Sequence, residues 1–183
     1  MNLIADDVIS RCRTALGEHT PQLAMRDVIH ELVADAAALD RALGPVEAGG
    51  IAPLYNADDL TILRVAWTPG MALNPHNHLM WAVIGMYGGQ EDNAFYRRTV
   101  DGLEPAGGKE LPAGDVLVLG DDVIHSVKNS KREYAVALHV YGGDFFGAGR
   151  SEWDFETYTE GPRDFERTGR LFEAANARWR AEG

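Results

Sequence analysis

Pro69-Gly70-Met71-Ala72-Leu73-Asn74-Pro75-His76-Asn77-His78 decides how the chain is read. It sets two imidazoles one residue apart, after a Pro-Gly turn signal and before the apolar run Leu79 to Tyr87. On a β-strand, residues i and i+2 point to the same face. His76 and His78 are therefore expected to reach inward together. Two neutral imidazoles aimed at one point are the beginning of a metal site.

The remainder of the chain sets the frame. Its 183 residues are enough for one domain with a single core. With 17 basic and 28 acidic residues, the net charge of −11 argues against nucleic acid or an anionic membrane as partner. A small anion held by one or two buried arginines is compatible with that charge. Cys12 is the only cysteine, which excludes an intrachain disulfide and a cysteine-based zinc site. Met1 to Ala5 has no basic region, and Asp6-Asp7 interrupts any apolar stretch. No segment approaches the ~20 apolar residues of a membrane span. The expectation is a soluble cytoplasmic protein.

Two regimes follow each other along the chain. Ile4, Val8, Cys12, Ala15 and Leu16 recur at helical spacing. Thr20-Pro21 then reads as a cap with proline at the first helical position, and an apolar stripe from Met25 to Leu43 ends at Gly44-Pro45. After Gly49-Gly50 the pattern becomes short β-like runs: 60–67, 81–87, 93–100, 116–119 and 134–141. Turn signals separate them, among them Asp101-Gly102, Pro105–Gly108, Pro112–Gly114 and Lys128–Arg132. A C-terminal helix is predicted over 165–181. The expected organisation is a helical segment, 1–48, packed on a β barrel with its tail, 49–183, as one domain.

A second motif lies downstream. Pro112-Ala113-Gly114 launches a β run that returns His125, followed four positions later by Asn129. Gly70, five residues, then His76-Asn77-His78, taken with this second segment, resembles the paired motifs of the cupin superfamily. The resemblance spans about residues 60–141. It implies a mainly β fold, a double-stranded β-helix of the jelly-roll type, with metal ligands His76, His78 and His125. Many cupins add a glutamate soon after the second histidine. Here Leu79 to Ile84 contains no carboxylate. Three neutral ligands leave a metal's double charge uncompensated, which suits an anionic ligand such as a thiolate.

Within the cupins, the missing glutamate looks like the thiol dioxygenases, including cysteine dioxygenase and bacterial enzymes acting on 3-mercaptopropionate. That group carries Ser-x-His-x-Tyr after the third ligand. Here the segment is Ala137-Leu138-His139-Val140-Tyr141, which keeps the histidine and tyrosine and lacks the serine. The resemblance implies Fe(2+), a small thiol and O2, and oxidation to a sulfinate. It also implies that Tyr141 donates a hydrogen bond beside the reacting atoms, oriented by His139. No cysteine lies near the first motif, so the resemblance implies an uncrosslinked Tyr141. For the substrate carboxylate, Arg150 matches the arginine that some bacterial relatives carry soon after the tyrosine. Arg64 and Arg97, on predicted strands, compete for that role.

Simpler readings stand beside these. A lone buried histidine is commonly a satisfied core residue, Tyr141 a strand aromatic, and Arg150 a solvated loop residue. His19 and His30 read as surface residues; Trp67, Trp81, Met80 and Met86 read as barrel core or pocket wall. Two other functions remain open: a zinc, nickel or manganese cupin for hydrolysis or isomerisation, and a non-catalytic metal-binding cupin. A carboxylate beside the site would favour hydrolysis or isomerisation, and none lies close in sequence. A monomer or a homodimer fits equally.

Overall fold

The computed structural model describes residues 3–100 and 102–182. Met1, Asn2 and Asp101, which entered the N-terminal and turn readings, lie outside the described residues. Three helices come first: α1 (Ala5–Leu16), α2 (Pro21–Val33) and α3 (Ala36–Leu43). Eight strands then build the barrel: β2 (Thr61–Trp67), β3 (Ala72–Asn77), β4 (Ala82–Gly88), β5 (Gln90–Thr99), β6 (Gly102–Pro112), β7 (Val116–Leu119), β8 (Ile124–Lys128) and β9 (Ala135–Tyr141). β1 (Gly50–Asn56) precedes them, and β10 (Ser151–Trp153), β11 (Glu160–Pro162) and α4 (Phe165–Glu182) follow.

The strands form two antiparallel sheets, β1-β2-β9-β4-β7 and β11-β10-β3-β8-β5-β6. From β2 to β9 the chain passes repeatedly from one sheet to the other, and β9 returns between β2 and β4. This is the double-stranded β-helix, the cupin-type jelly roll expected from the sequence.

The first sheet is buried on both faces. Leu63, Val65, Trp67, Ile84, Met86, Ala137 and Tyr141 point into the barrel core. Ile62, Ala66, Val83, Val136, Leu138 and Val140 face outward and pack on Met25, Ile29, Leu32 and Leu39 of the helices. A sheet covered on both sides reads as continuous apolar runs, as 60–67 and 134–141 do. Each fully buried Leu or Ile there contributes roughly 1.5–3 kcal/mol. The close approach of α2 depends on Gly85, where a Cβ would lie 2.2 Å from Ile29 Cγ2 and 2.9 Å from Val33 Cγ1.

Several expectations are corrected. The stripe from Met25 to Leu43 is two helices, because Asp35 caps α3 by accepting from Ala38 N (3.0 Å). Proline stands at the first turn of α2, but Thr20 makes no side-chain cap bond. Pro105–Gly108 is part of β6 rather than a turn. β6 is the outer strand of its sheet, where a missing N–H costs no ladder bond, and the register shifts opposite Phe95/Tyr96. Strands β1 and β8 were not among the predicted runs. Among the described residues, no helix is long and apolar enough to cross a membrane.

Candidate metal centre

The two histidine motifs meet because their strands are neighbours. β3 pairs with β8, and His76 stands directly opposite His125 in that register. His78 follows just past the end of β3. Asn77, between the two imidazoles, points the other way and accepts from Ser151 N (2.9 Å), tying β10 to the barrel. Gly70, at φ 72, turns the chain into β3. Its N–H donates to Asn129 O (2.9 Å), while Asn129 N donates to Met71 O (2.9 Å). The Asn129 side chain donates to Trp67 O (2.9 Å) and Glu133 O (2.8 Å). Asn129 is thus a turn staple that joins the two motifs.

His76, His78 and His125 are all buried, and their ligand atoms lie within 4.8 Å of one another. His78 Nε2 and His125 Nε2 are 3.4 Å apart. Two nitrogens each about 2.1 Å from one ion are separated by about 3.0–3.4 Å, so the pair fits a shared cation. Outer partners set the tautomers. His76 Nδ1 donates to Asn74 O (2.8 Å), and His125 Nδ1 donates to Asn93 Oδ1 (2.7 Å). Each bond leaves Nε2 as the lone-pair donor, the usual arrangement of a ligating histidine. Burial pushes His125 down to about 4 and His76 and His78 well below the ordinary histidine value. All three are neutral near pH 7, as metal ligands must be.

β9 brings His139 and Tyr141 to the same cavity from the opposite sheet. His139 Nδ1 and Tyr141 Oη are hydrogen-bonded at 3.1 Å, and the Tyr141 ring lies against His78 at 4.9 Å between centroids. Burial raises the Tyr141 phenol above its ordinary value. Cys12 lies in α1 on the helix side of the first sheet, its thiol pushed up to about 12 by burial. The only cysteine therefore packs in a different cluster from Tyr141.

Of the three arginines weighed for an anion, Arg150 lies nearest the site, stacked on Phe145 of the cavity wall. Arg150 is buried, with Nη2 donating to Phe145 O and its guanidinium 4.0 Å from the Phe145 ring centroid. Phe145 in turn packs on Tyr141 at 4.4 Å. Arg150 Nε and Nη1 have no partner among the described residues, and burial pushes the guanidinium down to about 10. Arg64 is on the outer face of β2, donating to Tyr87 Oη and to Leu43 O and Gly44 O. Arg97 is 72% exposed and pairs with Glu104. Neither reaches the cavity, which corrects their candidacy. His19 and His30 are exposed, as expected.

Three site residues were missed by sequence reasoning. Arg163 lines the cavity and donates to Glu152 Oε2 (2.8 Å), and its Nε lacks a partner. Asn93 orients His125. Glu91, 0% exposed, accepts from Trp67 Nε1 (2.6 Å) and Asn93 Nδ2 (3.0 Å) and stands 3.4 Å from His139 Nε2. No carboxylate lies close to the ligands in sequence, but the fold brings Glu91 beside His139. Burial would raise the Glu91 carboxyl, but His139, Asn93 and Trp67 together hold it below its ordinary value. It is not one of the clustered ligand groups.

The cavity lined by the three histidines, His139, Tyr141, Phe145 and Arg163 measures about 20 Å³, room for a water or an ion and little more. A much larger groove, about 720 Å³, lies between α1 and α2.

No protein-family model matches the chain. Solved structures similar to it include an uncharacterized protein with a double-stranded β-helix domain from Klebsiella pneumoniae subsp. pneumoniae MGH 78578. The identity is 16%, covering 62% of this chain and 87% of that one, with a TM-score of 0.49. An RmlC-like cupin family protein from Methanocaldococcus jannaschii is 11% identical over 55% of this chain and 85% of that one, TM-score 0.47. An oxalate decarboxylase from Lactobacillus farciminis is 20% identical over 55% of this chain and 30% of that one, TM-score 0.45.

Proposed function

We propose that the protein is an iron-dependent dioxygenase that oxidises a small thiol bearing a carboxylate, of the cysteine or 3-mercaptopropionate kind, to its sulfinate. The observation that carries this reading is the donor set. Three neutral imidazoles, with no carboxylate among the ligands, face a histidine-held tyrosine. Such a set favours a ligand that brings its own negative charge, and a thiolate does so. The reaction balances as thiol plus O2 giving sulfinate plus one proton. Iron(II), when bound by His76, His78 and His125, supplies the redox chemistry and open positions for thiolate and dioxygen.

The chain's own residues bind, orient and exclude water. Arg150 takes the substrate carboxylate, because two of its buried nitrogens lack acceptors. A buried donor without a partner costs about 1–3 kcal/mol, which a bound carboxylate recovers. Arg163 adds a second guanidinium, paired with Glu152, a carboxylate it shares with Arg167. Tyr141 is the hydrogen-bond donor beside the reacting sulfur, and His139 holds it. The apolar wall of Leu63, Val65, Leu73 and Phe145 keeps water out. Hydrolysis or isomerisation at zinc, nickel or manganese would call for a carboxylate able to act as base. Both oxygens of Glu91 are engaged by Trp67, Asn93 and His139 instead.

The test is direct. Bound metals are measured in the purified protein, and oxygen uptake is followed with cysteine, 3-mercaptopropionate and cysteamine, which lacks the carboxylate. Iron with uptake on the two carboxylates and little on cysteamine is expected. Stoichiometric zinc, with no uptake on any thiol after iron reconstitution, overturns the proposal.

A further inference from the structure

Glu91 joins two parts of the site that lie on different sheets. Two N–H groups donate to it inside the barrel, and a histidine ring nitrogen stands within ion-pair reach. Trp67 Nε1 donates to Oε2 at 2.6 Å, and Asn93 Nδ2 donates to Oε1 at 3.0 Å. His139 Nε2 stands 3.4 Å from Oε2 without hydrogen-bond alignment and has no other partner among the described residues, so Glu91 is the acceptor it faces. Trp67 and His139 belong to the first sheet, Asn93 and Glu91 to the second.

An ionised carboxylate can only accept. Facing Oε1, Asn93 must present its NH2 group, which turns its carbonyl oxygen to His125 at 2.7 Å. His125 must then carry its proton on Nδ1, leaving the Nε2 lone pair toward His78 and a shared cation. The other arm obeys the same rule. With Nε2–H of His139 directed at Oε2, Nδ1 is left to the Tyr141 hydroxyl at 3.1 Å. Ala137, one turn of the pleat away on β9, offers no hydroxyl to orient His139.

We infer that Glu91 is a positioning residue for the whole centre. Through Asn93 it holds His125 as a ligand, and through His139 it holds the hydroxyl of Tyr141. The importance of the Tyr141 arm rests on the thiol-oxidation reading; the His125 arm does not. The carboxylate absent from the ligand set is thus present one step further out, anchored by Trp67.

The experiment uses the protein loaded with zinc, a diamagnetic ion, as wild type and as Glu91→Gln. Zinc affinity is measured by chelator competition, and the ring nitrogens of His139 are read by long-range ¹H–¹⁵N correlation. A glutamine turns an NH2 group toward donors and breaks the pattern. The expected results are zinc binding weakened about 10-fold, the lower end for a lost outer partner, and a His139 proton no longer confined to Nε2. Wild-type values for either readout overturn the proposal that one carboxylate holds both arms. The wild-type spectrum tests it even if the variant fails to fold: a His139 proton residing on Nδ1 alone overturns it. Neither readout involves turnover. Loss of the proposed reaction in the thiol panel would leave this role standing, and wild-type readouts in an active variant would remove this role alone.

Discussion

At the scale of single residues, the site divides into groups that hold charge and groups that hold orientation. Arg150 is of the first kind: a buried guanidinium with two donors unmet among the described residues favours an anionic ligand. Arg150→Gln is expected to raise KM for 3-mercaptopropionate by roughly 10–100-fold, the worth of one charge-assisted pair, with kcat changed far less. Steady-state kinetics separate the two, and an unchanged KM would move the carboxylate site elsewhere, with Arg163 next in line. Tyr141 is of the second kind. Tyr141→Phe removes only the hydroxyl and is expected to lower kcat by roughly 10²-fold with bound metal unchanged. A variant as fast as wild type would strip Tyr141 of its role.

At the scale of elements, α2 lies against β4 because Gly85 leaves room for it. A side chain there would meet Ile29 and Val33, both β-branched and stiff at χ1. Gly85→Val is expected to cost about 1–3 kcal/mol through overpacking, read as a lower urea midpoint with a similar slope. Retained stability would mean that the helices yield more readily than a packed core does. The paired sheets also explain what could be read from the chain. His76 and His78 were legible from the two-residue period of a strand, whereas His125, His139 and Tyr141 were legible through the motifs they resemble. Arg64 was misread on that two-residue period. Ile62, Leu63, Val65 and Ala66 around it are apolar on both faces, so alternation cannot say which face holds the cavity. Glu91 was invisible because Gln90-Glu91-Asp92-Asn93 reads as a solvated polar stretch.

At the scale of the molecule, the closed cavity and the three buried histidines have consequences. A volume of about 20 Å³ is too small for a thiol carboxylate beside a metal, so the proposed function requires the wall to give way on binding. Phe145, between Tyr141 and Arg150, is the side chain best placed to do so. Phe145→Ala is expected to admit longer thiols such as 4-mercaptobutyrate, at a stability cost of roughly 3–5 kcal/mol. A substrate range unchanged in that variant would place the movable wall elsewhere. The histidines make the metal-free protein acid-labile. His125 titrates at about 4 folded and near 6.5 unfolded. Between those values the unfolded chain binds a proton that the folded state refuses. Stability is therefore complete above about pH 6.5 and falls as pH drops toward 4, by a few kcal/mol in all. Urea unfolding of the metal-free protein across that window checks the sign; a flat profile would mean that the imidazoles are already solvated.

Residue order alone made the His76/His78 pair, the N-terminal helices and several of the strands readable. Spacing of two and four residues is enough for pleats and helix faces. The partners of those ligands were settled by the closing of the barrel. Asn93, Glu91 and Arg163 reach the histidines only because β5 and the segment after β11 are carried to them by pairings far apart in the chain. Burial and its local partners then set each group's charge: histidines kept neutral, a glutamate held below its ordinary value by His139, Asn93 and Trp67, and an arginine with two donors unmet among the described residues.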